Sequence, residues 1–99
     1  MAARLTLETV VTAIKDQAFS ELGPEVVILK LSSGVYYGLD EVGTVIWKLV
    51  QAPKSLGAIC EAIQAEYDVT HEQCQQDVLA LAQRMIDEGL VEVSGEARR

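Results

Sequence analysis

The hydrophobic pattern of this 99-residue chain changes period once, at Asp40. Upstream of it, Glu25–Leu31 (EVVILKL) is β-branched and almost continuously apolar, which predicts a strand. Alternation puts Val27, Leu29 and Leu31 on one face, and Val26, Ile28 and Lys30 on the other. Gly23-Pro24 is a turn signal, so Gln17–Leu22 is expected as a preceding strand. Ser32-Ser33-Gly34 makes a short hairpin loop, with Gly34 free to take positive φ. Val35–Leu39 (VYYGL) is the third strand, with Val35, Tyr37 and Leu39 on one face and Tyr36 on the opposite one. In a meander of this order the first and third strands are the edges.

Downstream of Asp40 the period becomes helical. Asp40 suits an N-cap, and Val42, Val45, Ile46, Leu49 and Val50 recur at i, i+3, i+4, i+7 and i+8. Pro53 ends this helix, expected over 41–51. Ser55 caps a second, over 56–66, where Leu56, Ile59, Cys60 and Ile63 repeat the spacing. Thr70 with Gln73 reads as a capping box opening a third helix over 71–88, with Gly89 as its breaker. No strand is expected inside 41–66. Three antiparallel strands followed by three helices is an α+β order, and the last two helices form a helix-turn-helix pair. Residues 1–16 are expected as an extended arm with a short strand, 17–93 as the domain, and 94–99 as a flexible tail.

Composition narrows the functions. Apolar residues make up 49% and charged residues 23%, as in a globular chain. No run reaches the roughly 20 apolar residues of a membrane span, and no export signal is legible, so the expected compartment is the cytoplasm, with no membrane partner. Net charge is −7, which opposes phosphate contacts. The third helix carries Glu72, Asp77, Asp87 and Glu88 against Arg84 alone, so no nucleic-acid partner is expected. A winged-helix transcription regulator is the alternative that this acidity weighs against. An accessory subunit that activates an enzyme by docking is a third.

Catalytic and cofactor chemistry find little support. His71 is the one histidine, at a helix start. Its i, i+3 spacing to Cys74 leaves a tetrahedral metal site two ligands short, and only Cys60 remains as a soft donor. Both cysteines fall at apolar helical positions and are expected as buried thiols. Gly34, Gly38 and Gly43 match no phosphate-binding loop. Gly38 and Gly43 are expected to allow close packing at the strand-to-helix corner. No catalytic residue, metal or cofactor is expected.

Peptide binding is the reading left. The third helix carries two apolar rows, Cys74, Val78, Leu81 and Met85 beside Leu79, Ala82 and Ile86. One row can face the core while the other lines a groove. The sheet also offers an edge strand, a template for an added peptide strand.

Val26–Trp47 resembles the opening of the PqqD-like family, where a run of the type LDLxSGxYYGLNxxGxxIW recurs. The matching residues are Leu29-Lys30-Leu31, Ser33-Gly34, Tyr36-Tyr37-Gly38-Leu39, Gly43 and Ile46-Trp47, with Asp40 where Asn is common. Glu66-Tyr67-Asp68-Val69, Asp77-Val78 and Gly89-Leu90-Val91 fit the later pattern, so the resemblance spans roughly 17–93. It implies a winged helix-turn-helix recognition element for the leader segment of a ribosomally made precursor peptide. It also implies a partner, a separate modifying enzyme or leader peptidase. The hairpin region is similar to stand-alone members of lasso-peptide pathways. The family's binding mode marks Val35, Tyr36 and Tyr37 on the strand. On the helix, positions taken by face are Val78, Leu79, Ala82, Met85 and Ile86. Untagged purified protein is expected to show no zinc by elemental analysis; a stoichiometric amount overturns this metal-free reading.

Overall fold

The computed structural model describes residues 5–96. Its strands are β1 (Thr9–Ala13), β2 (Gln17–Leu22), β3 (Glu25–Lys30), β4 (Val35–Leu39), β5 (Lys54–Ser55) and β6 (Val91–Glu96). Its helices are α1 (Glu41–Leu49), α2 (Leu56–Glu66) and α3 (His71–Asp87). Two antiparallel three-stranded sheets result, in the orders β2-β3-β4 and β5-β1-β6.

The first sheet is the expected meander, with β2 and β4 outermost. Gly23 takes φ +65 at the first corner, and Gly34 takes φ +72 at the second. These values lie where a side chain is strained, so the hairpins close on glycine. The β3–β4 register sets Ile28 opposite Tyr37, Val26 opposite Leu39, and Leu29 opposite Tyr36. Val26 and Ile28 are fully buried, and their face of the sheet lies on the helices.

The second sheet was not expected. β1 falls in the segment read as an arm, and it is the central strand, with Val11 fully buried. It pairs with β6, Val11 opposite Val93 and Ala13 opposite Val91, through a bulge at Val10/Val11. Residues 94–96, read as loose tail, therefore complete a strand; 97–99 lie outside the described residues. On its other edge β1 pairs with Lys54–Ser55. That two-residue strand corrects the expectation that none lies inside 41–66. The stretch after Pro53 is extended, as a residue at an N-cap must be, and β1 pairs with it.

Each helix begins on its expected cap. Asp40 Oδ1 accepts from Gly43 N at 2.8 Å, Ser55 Oγ from Ala58 N at 3.1 Å, and Thr70 Oγ1 from Gln73 N at 3.1 Å. The capping box is only half made, because the Gln73 amide donates to Asp77 instead. Gly43 packs as expected: a Cβ there would meet Asp40 Oδ1 at 3.2 Å and Leu39 at 3.4 Å. Gly38 does not, since a Cβ there meets nothing within 4 Å.

Trp47, Ile46 and Val50 of the α1 region join Leu56, Ile59, Cys60 and Ile63 of α2 in one core. Cys74, Val78, Ala82 and Met85 of α3 complete it from the other side. Thr44 Oγ1 accepts the buried Val26 N–H at 3.1 Å, which ties α1 to β3. Thr44→Val keeps the shape and removes that acceptor, stranding a buried donor. It should cost about 1–3 kcal/mol in chemical denaturation, with Thr44→Ser close to wild type.

A groove between an edge strand and the third helix

β4 has one neighbour, β3, and its other edge is unpaired among the described strands. Gly23-Pro24 makes a two-residue hairpin loop, which closes on a hydrogen-bonded pair, Leu22 and Glu25. Alternation then directs Val26, Ile28 and Lys30 toward β4. Their partners Leu39, Tyr37 and Val35 point back, so Tyr36 and Gly38 turn their N–H and C=O groups outward.

Between β4 and α3 lies an open cavity of about 350 Å³. Its strand side is Tyr36, Tyr37, Gly38 and Leu39; its helix side is Leu81, Arg84, Met85 and Glu88; Leu90, Asp40 and Gly43 close the ends. The walls are mixed. Leu39, Leu81 and Met85 give an apolar floor, and the tyrosines give amphipathic sides suited to a peptide.

The expected site residues separate into three groups. Tyr36, Tyr37 and Met85 meet at the cavity, and Val35 is exposed just before them on the same edge strand. Val78 and Ala82 are buried in the core and, unlike the equally buried Met85, do not line this cavity. Leu79 and Ile86 are partly buried against the core and do not line this cavity. At 100° per residue, Leu79 and Leu81 stand about 160° apart around α3. The groove flank of α3 is therefore the one carrying Leu81, Arg84 and Glu88. Its apolar residues are spaced among charges, whereas Leu79 and Ile86 on the opposite flank stand beside the uncharged Gln75 and Gln83.

How α3 ends sets the groove's far wall. Gly89, at φ +76, donates to Ile86 O at 3.0 Å, and Leu90 N donates to Met85 O at 2.9 Å. This is a Schellman stop, and it turns Leu90 into the core. Lys30 Nζ donates to Gly89 O at 2.8 Å, holding the helix end against β3. Asp40 and Glu88 are the acids among the lining residues. The Tyr67 phenol is raised above its ordinary pKa by burial, then by Glu41, Glu66 and Asp40. Arg84 is the cation among the lining residues.

The remaining reactive groups do not gather here. Cys74 Sγ lies 3.6 Å from Cys60 O, and burial, then Cys74, pushes the Cys60 thiol up to about 11. Both thiols are buried, as expected, and Cys60 stays protonated at neutral pH. His71 lies between Gln64 and Gln75 on the surface. Among the described residues no three His, Cys, Asp or Glu side chains converge as a metal site, and no helix is long and apolar enough to cross a membrane.

A second apolar surface lies on the outer face of the first sheet. Ala18, Leu22, Val27, Leu29 and Tyr36 line a shallow cavity of about 360 Å³ there. Tyr36 borders both cavities.

Comparison with known proteins agrees with this architecture. The structure of TbiB1 in complex with the TbiA(beta) leader peptide superposes with a TM-score of 0.76 at 31% identity, covering 88% of this chain and 99% of that one. A lasso peptide synthetase B1 complexed with its leader peptide superposes at 0.71, covering 83% of this chain and 96% of that one; at 18% identity it shows a shared fold. No curated protein sequence matches. The family model for coenzyme PQQ synthesis protein D matches residues 25–91, the span that holds β3, β4, all three helices and the groove between them, and the chain belongs to the PqqD family.

Proposed function

We propose that this protein is a non-catalytic recognition element. It binds the leader segment of a ribosomally made precursor peptide as an added strand on β4, over the groove lined by α3. The carrying observation is the unpaired β4 edge directly beside a cavity with an apolar floor. The 31% identical relative, solved with a leader peptide, supports the same use. Main-chain bonds to the outward groups of Tyr36 and Gly38 supply register, and the groove takes alternate side chains. The contact residues are Val35, Tyr36, Tyr37 and Met85, joined by Leu39 and Leu81. Val78 and Ala82 support the helix from beneath.

The same reading makes α2–α3 and the β3–β4 hairpin a winged helix-turn-helix whose wing carries the peptide instead of DNA. It also makes the protein cytoplasmic, where precursor synthesis takes place, and a partner of a separate modifying enzyme or leader peptidase. The raised Cys60 thiol and the isolated His71 favour a binding role over a catalytic one.

Fluorescence polarisation with the cognate leader tests the groove. Leu81→Glu, measured under conditions where circular dichroism shows it folded, should lower affinity at least about tenfold, roughly 1.4 kcal/mol. Unchanged affinity in the folded variant sinks the groove. Leu79→Glu separates the two helix flanks, because it should lower the melting temperature while affinity in the folded fraction holds. Tyr36→Pro removes an outward N–H and should weaken binding several-fold without unfolding the edge strand. Full affinity in a folded Tyr36→Pro variant would count against strand addition.

A further inference from the structure

We propose that Arg84 selects for a carboxylate, taking an aspartate or glutamate side chain from the peptide segment lying between β4 and α3. This rests on the groove reading above and adds the chemistry of one position. Three charged residues line the cavity: Asp40, Arg84 and Glu88. Asp40 is committed to the α1 cap through Gly43 N. Arg84 and Glu88 face each other one helical turn apart, but their contact is a single Nε–Oε2 approach of 3.8 Å. That is longer than a hydrogen bond, and the Arg84 side chain is 75% exposed. Exposed i, i+4 pairs of this kind are weak, so Glu88 is a placeholder that a better-placed acid can displace.

The geometry favours such an acid. Arg84 stands between Leu81 and Met85 along α3, beside the two apolar side chains that floor the groove. A strand anchored on that floor brings a neighbouring side chain within reach of the guanidinium. The terminal amino groups of Arg84 make no hydrogen bond among the described residues, and their planar fork matches a carboxylate through two parallel bonds. The setting sharpens the choice. In a chain of net charge −7, an acid placed elsewhere along the groove meets Asp40 or Glu88, so only one register satisfies it. Arg84 therefore acts in register selection as much as in affinity.

The experiment is a selection on the full chain from a display library of random peptides. The peptides are fused to their carrier through their C-termini, so that only side-chain carboxylates can respond. Wild type should enrich peptides with apolar anchors and one Asp or Glu at a fixed spacing from them. Arg84→Glu should enrich the same anchors with Lys or Arg at that spacing. Arg84→Gln, the milder change, should keep the anchors and lose the acidic preference. Circular dichroism confirms that each variant is folded. Glu88→Gln removes the competitor and should bind the wild-type peptides at least about threefold more tightly. For one enriched peptide, Arg84→Gln should weaken binding at least about fivefold, and replacing the peptide's acid by its amide should abolish that difference.

Unchanged anchors with the same acid in every pool, or with no acid in the wild-type pool, overturn the Arg84 assignment and leave the groove standing. A wild-type selection that enriches nothing overturns both. A synthetic peptide truncated to end in a free carboxylate at the selected position tests the other source. Tighter binding of that peptide than of the side-chain acid moves the assignment from an internal segment to a chain terminus and overturns the proposal as stated.

Discussion

The cavity between β4 and α3 depends on how the end of α3 is held against the sheet, and one cluster of contacts holds it. Gly89 stops the helix, Leu90 turns inward, and Lys30 reaches from β3 to the Gly89 carbonyl. Positive φ at Gly89 disfavours any other residue, and a Cβ there would approach Lys30 Nζ to 2.7 Å. The ammonium satisfies a carbonyl at the negative end of the helix dipole, so the bond is charge-assisted at a site that favours a cation. Lys30 lies two residues past the fully buried Ile28, on the same face of β3, and pairs with Val35, the first residue of β4. One side chain thus couples the helix end, the central strand and the start of the edge strand.

The second sheet supports that frame from behind. β6 leaves α3 directly at Leu90, and β1 holds it through Val11, whose side chain is fully buried. Gln17 adds a staple, its amide donating to Ile14 O and Leu90 O, so the β1–β2 connection and the helix exit share one side chain. The N-terminal strand, far from the groove, is in this way mechanically joined to its wall.

The period change at Asp40 made β2 to β4 and all three helices legible, because each is specified within its own window of sequence. β1, β5 and β6 were not legible for the complementary reason. β1 is five residues long, β5 two, and their pairing joins positions some eighty residues apart for β1 and β6. No local signal states such a pairing, and Ser55 carried a stronger signal as a cap than as a strand. The strand side of the cavity was legible through Tyr36-Tyr37-Gly38, and its helix side only at Met85. A core-facing row and a groove-facing row differ in what covers them, and hydrophobicity alone does not say which is covered. Leu79, Leu81 and Ile86 are all partly buried against the core, and of these three only Leu81 lines the cavity, one turn before Arg84 and Met85.

An open edge strand is ordinarily a liability, since it can pair with any other strand. Proteins commonly blunt such edges with charge, proline or a bulge. β4 carries none of these: its five residues, Val35 to Leu39, are uncharged and pair with β3 in unbroken register. Tyr36 is 69% exposed, with Leu22 and Leu31 also exposed across the same sheet. The whole molecule carries a net charge of −7, which opposes the close approach of like copies. That device discourages self-association while leaving the edge open to a peptide with the right local groups. The same residues that would make an unprotected edge a hazard, apolar and free of charge, are those a strand-adding ligand requires. Charge is thus absent from the β4 edge and concentrated beside it, at Asp40, Arg84 and Glu88 of the cavity lining, which leaves hydrogen bonding to the strand and charge to the groove.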